Sequence, residues 1–78
     1  MGGGEVRFNL CDGETVTIPS MDVDCVCDNL WRLAPKPGAV MLAGVLVAQS
    51  RGGLGLVPFE LTEPQSAVIR EALAMLEA

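Results

Sequence analysis

The sequence predicts an α+β domain in the order β-β-α-α-β-α, a three-stranded antiparallel sheet with helices packed on one face. Three observations carry this reading. Apolar residues alternate on either side of Asp12-Gly13, which marks a hairpin. A charge-free segment runs from Ala39 to Ala48 with no polar side chain in it, and such a run forms the centre of a small core. Thr62-Glu63-Pro64-Gln65 has the pattern of a helix capping box before an apolar stripe. With 78 residues, positions 1–78 make a single domain.

Gly2-Gly3-Gly4 reads as a flexible lead, and Val6 to Ile18 as the hairpin. A two-residue Asp12-Gly13 loop would set Val16 and Ile18 on the wrong face. A three-residue Cys11-Asp12-Gly13 loop, with Gly13 left-handed, pairs Phe8 with Val16 and Val6 with Ile18. Arg7, Asn9, Thr15 and Thr17 then face solvent, and this second register is the expected one.

Pro19-Ser20 ends the hairpin. Ser20 or Asp22 can cap the next helix, and with Asp22 as cap, Met21 and Val26 would form a hydrophobic staple. At about 100° per residue, Val23, Val26, Cys27, Leu30, Leu33 and Ala34 gather on one side. Pro35 and Pro37 stop this helix.

The segment 39–48 is too short to span a membrane, which needs roughly 20 apolar residues, and it is longer than most strands. It is therefore expected as a buried helix opened by Pro37-Gly38, with a buried strand, which Val45, Leu46 and Val47 would favour, as the alternative. Val40, Leu42, Leu46 and Val47 fill space, and Ala39, Ala43, Gly44 and Ala48 allow another backbone to come close. After a glycine-rich loop over 51–55, Val57, Phe59 and Leu61 alternate with Pro58 and Glu60, so 56–61 reads as a third strand. Pro58 places it at an edge. In the last helix Ile69, Ala72, Leu73 and Leu76, widened by Val68 and Met75, form the buried stripe, while Arg70, Glu71, Ala74 and Glu77 face out.

Composition narrows function. The net charge is −5, and the five basic residues (Arg7, Arg32, Lys36, Arg51, Arg70) are scattered, so a nucleic-acid or anionic-membrane partner is not expected. The start shows no basic-then-apolar leader, and Val6 stands where a myristoylation signal needs Ser or Thr. Three cysteines fit free thiols in a reducing cytoplasm.

The most chemical motif is Asp22-Val23-Asp24-Cys25-Val26-Cys27-Asp28. On a loop, two thiolates and a carboxylate could hold zinc. On a helix Cys25 and Cys27 point roughly 160–200° apart, and there is no histidine to complete a set or serve as a base. Cys25 next to three carboxylates makes a poor thiolate. Asp24 and Asp28, one turn apart, read as a solvated face. Glycines 52, 53 and 55 precede a strand and meet no Walker or dinucleotide pattern. No cofactor and no catalysis are expected.

What remains is association. Half the residues are apolar, more than so small a globule readily hides. Trp31 falls at the margin of its helix stripe, and Trp is a frequent interface anchor. Edge strands template pairing with another chain. The chain is thus expected to be a cytoplasmic, non-catalytic interaction module that pairs with a second copy of itself, or with another protein, through Trp31, Leu54, Leu56 and Phe59. The rival is a thiol-based metal or redox site using Cys11, Cys25 and Cys27.

Overall fold

A computed structural model describes residues 5–52 and 60–77. Strands β1 (Val6–Asn9) and β2 (Thr15–Ile18) form an antiparallel hairpin. Its register pairs Val6 with Ile18 and Phe8 with Val16, as the alternation requires. Gly13 N–H donates to Leu10 O (3.0 Å) and Leu10 N–H to Glu14 O (2.7 Å). Gly13 sits at φ 90°, the left-handed position that lets a three-residue loop close this hairpin. Val6, Phe8 and Ile18 are buried, and Arg7, Thr15 and Thr17 are exposed on the opposite face.

Three helices follow: α1 (Val23–Arg32), α2 (Ala39–Ser50) and α3 (Glu63–Ala74). They share one core with the hairpin. It is built from Val6, Phe8, Leu10 and Ile18, from Val23, Val26 and Leu30 of α1, from Ala39, Leu42, Ala43 and Leu46 of α2, from Leu61, and from Val68, Ile69 and Ala72 of α3. The order is therefore β-β-α-α-α among the described residues.

The expected three-stranded antiparallel sheet is corrected to two strands. Most of the proposed strand 56–61 lies outside the described residues, as do Gly2 to Gly4 and the glycines at 53 and 55. Glu60 makes one isolated bridge to Asn9, and it is parallel. A ladder has no room to grow forward from that point. Leu61 N–H donates to Asn9 O at 2.8 Å, the Leu61 side chain is buried, and Thr62 already caps α3. On the partner side β1 ends at Asn9 and the chain enters its turn.

The α1 start also differs from expectation. Ser20–Asp22 forms a 3-10 turn closed by Asp22 N–H to Pro19 O (2.9 Å). Asp22 makes no side-chain capping bond, and Met21 is 84% exposed, so the staple does not form. At the other end of the chain Leu76 is exposed rather than buried. Residues Met75–Glu77 tighten into a 3-10 turn, whose three-residue period swings Leu76 off the α-helical stripe.

Two joints fix the helices. Gly38 caps α2 at φ 85°, and a Cβ there would lie 3.0 Å from Cγ of Gln65, so the start of α2 presses on α3. Thr62 and Gln65 complete the capping box. Thr62 N–H donates to Gln65 Oε1 (2.9 Å) and Gln65 N–H reaches Thr62 Oγ1 at a long 3.5 Å. Lys36 Nζ on Glu71 Oε1 (2.8 Å) ties the connection between α1 and α2 to α3.

Candidate interaction surface

Among the described residues, the outward side of α2 is the feature that internal packing does not explain. At about 100° per residue, Ala39, Leu42, Ala43 and Leu46 point to the core, and each is buried. Val40, Met41 and Gly44 lie opposite and are exposed, with Val47 and Ala48 half-buried beside them. Val40 is 47% and Met41 39% exposed. None of these five residues carries a polar side chain. Val40 and Val47 were expected to fill space in the core, but the core-facing arc of α2 is already occupied by the other four. A surface helix ordinarily turns charge to water; this one turns hydrocarbon.

Gly44 stands in the middle of that face. Among the described residues nothing lies within 4 Å of a Cβ built on it. The small residues of α2 therefore divide. Ala39 and Ala43 serve the internal packing, whereas Gly44 lies on the open side.

Trp31 is 55% exposed. Asn29, on the other flank of α1, donates from Nδ2 to Ala72 O of α3 (3.1 Å), so Trp31 lies on the flank of α1 away from α3. Its exposure agrees with a margin position. Leu54, Leu56 and Phe59, the remaining expected contact residues, lie outside the described residues. Val40 and Met41 were missed because a segment apolar on every side gives no hint of which side faces out.

The cysteines are dispersed. Cys11 and Cys25 are exposed and Cys27 is half-buried, and no three metal-ligating side chains gather among the described residues. Burial pushes the Cys27 thiol pKa up, and the charges of Asp28 and Asp24 push it the same way, against a smaller opposing pull from Trp31. Cys27 is thus kept as a neutral thiol against the core, the opposite of a metal-binding or nucleophilic thiolate.

The hairpin tip is held by α3. Ser66 Oγ accepts from Cys11 N–H at 3.1 Å, and Arg70 Nη2 donates to Asp12 Oδ2 (2.6 Å) and Glu14 Oε1 (3.0 Å). The Arg70 hydrogen bond first, and the Glu14 backbone N–H second, hold the Asp12 carboxyl below the ordinary carboxylate range. These groups are fully spent on each other, and they serve to fasten one element to another.

Among the described residues no helix is long and apolar enough to cross a membrane, so the apolar side of α2 is not a spanning surface. Searches against protein-family models, curated proteins and solved structures return no match to this chain.

Proposed function

We propose that the chain is a small, non-catalytic, cytoplasmic interaction module that self-associates through the outward face of α2, with Trp31 as a second contact. The observation that carries this reading is the exposure of Val40 and Met41 on a helix face without a polar side chain. Fully burying a Val or Met side chain is worth roughly 1.5–3 kcal/mol. With 47% and 39% of these two left in water, a partner that covers them gains about 1 kcal/mol from each. In a symmetric pair each contribution counts twice, about 4 kcal/mol in all, or roughly a thousandfold in dissociation constant.

Non-catalytic use is supported by the chemistry of the remaining groups. The chain has no histidine, its half-buried thiol is held neutral, and Asp12 is already paired to Arg70.

The test is native mass spectrometry of the untagged protein, purified without chelator, alongside sedimentation velocity. The expected species has twice the chain mass, and a Val40→Lys/Met41→Lys double variant runs as a monomer with unchanged circular dichroism. Trp31→Ala weakens the pair as well; an unchanged dissociation constant removes Trp31 from the surface. A wild-type monomer carrying a stoichiometric ion overturns the reading and brings the cysteines forward.

A further inference from the structure

We infer that the two copies pair about a two-fold axis passing over Gly44, so that their α2 helices cross antiparallel at the missing side chain. This deepens the self-association reading and rests on it.

Three observations converge. First, Gly44 is exposed in mid-helix, where glycine is a poor helix former compared with alanine. Among the described residues no neighbour fills the space of a Cβ there, so the packing they define does not require a glycine at this position. A helix laid across the face does require it, because the absent side chain lets two backbones approach.

Second, the face is complementary to itself when turned around. An axis at position 44 brings Val40 of one copy opposite Ala48 of the other, and Met41 opposite Val47. Each meeting sets a larger side chain against a smaller one, and the symmetry repeats it on the far side of the axis. The antiparallel arrangement also sets the N-terminal end of each α2 beside the C-terminal end of the other, with their dipoles opposed.

Third, the chain carries a net charge of −5, while Ala39 to Ala48 carries none. Two acidic copies repel wherever their carboxylates face one another. Meeting along α2 places an uncharged strip between them. A basic partner is favoured instead by the acidic outer side of α1, where Asp24 and Asp28 are exposed, and gains nothing from hydrocarbon.

Gly44→Ala tests the crossing with two readouts of opposite sign. Alanine favours the helix and meets no clash among the described residues of its own copy, so the thermal midpoint of the monomer rises at concentrations below the dissociation constant. The new methyl stands in the crossing, so the dissociation constant measured by sedimentation equilibrium rises about tenfold or more. A variant that pairs as tightly as the wild type, or more tightly, overturns the crossing point.

A second measurement reads the register. In a background with Cys11, Cys25 and Cys27 changed to serine, Val40→Cys protein mixed with Ala48→Cys protein forms a disulfide under mild oxidation, and neither does so alone. Crosslinking of either alone at the rate of the mixture overturns the antiparallel register. If Val40→Lys/Met41→Lys yields monomer while Gly44→Ala pairs normally, the crossing point falls and the surface stands. If neither variant changes the mass of a dimeric wild type, the α2 surface falls together with the crossing point; if the wild type itself runs as a monomer, the self-association reading falls.

Discussion

Replacing Gly38 with alanine examines the joint between α2 and α3. Gly38 sits at φ 85°, and a left-handed residue with a side chain costs roughly 1–2 kcal/mol. Alanine stiffens the unfolded chain and returns about 0.4–1 kcal/mol, leaving a net backbone cost of about 1 kcal/mol. The new Cβ would then stand 3.0 Å from Cγ of Gln65. That side chain is not free to swing away, because its Oε1 accepts from Thr62 N–H at 2.9 Å. Moving it loses a hydrogen bond worth about 0.5–1.5 kcal/mol. The expected total is about 2 kcal/mol. In urea, with a slope of about 1 kcal/mol per molar for a small protein, the midpoint falls by about 2 M. Gly13→Ala is the matched control: φ is 90° there too, but nothing lies within 4 Å of its Cβ, so only the backbone cost of about 1 kcal/mol applies. If Gly38→Ala is no worse than Gly13→Ala, the pressure of α2 on Gln65 does not contribute and the reasoning fails.

Other expectations follow from groups already placed. Asp12 is held below its ordinary pKa by Arg70, so the clamp is complete above the unfolded aspartate value of about 3.9 and is lost as the pH falls through the lower folded value. Arg70→Ala should raise the Asp12 midpoint in an NMR titration of its side-chain carbon, and an unmoved midpoint contradicts the pairing. Thr62→Ala removes the cap of α3, and because the Oγ1 bond is 3.5 Å long the loss belongs near the low end of the capping range, about 0.5–1 kcal/mol. A loss above about 2 kcal/mol in urea unfolding would mean Thr62 does more than cap. Under native conditions at neutral pH, a thiol reagent should label Cys11 and Cys25 first and Cys27 last. Equal rates for all three would deny that Cys27 is sheltered.

The parts of this fold legible in the sequence are those decided locally. The hairpin register follows from Asp12-Gly13 and the alternation around it, because only one loop length puts Val6, Phe8 and Ile18 on the same side. The capping box at Thr62 is likewise carried by neighbouring residues, and the length of the apolar run 39–48 tips it towards a helix, although Val45, Leu46 and Val47 also suit a strand. The rest depended on distant partners. Alternation over 56–61 signals extended backbone, and extended backbone is equally what is needed to deliver Leu61 to the core before a helix starts. Among the described residues Glu60 makes one isolated bridge, to Asn9, a partner far away in the chain that alternation cannot name. Asp22 has the chemistry of a cap, but the turn closed on Pro19 carries Met21 into water. The proposed contact surface was half legible. Trp31 stood out by residue type, whereas Val40 and Met41 sit in a run so uniformly apolar that only the packed structure distinguishes outside from inside.

The fastening of the hairpin tip to α3 has a consequence for how the protein is made. Cys11 waits on Ser66 across 55 positions, and Asp12 on Arg70 across 58. A lone two-stranded hairpin is marginally stable at best in water. On the ribosome the hairpin emerges before α3 but gains its support only when α3 has left the exit tunnel. Within this domain the hairpin is therefore made early and secured late, and it stays dependent on α3 for as long as the residues between them take to emerge.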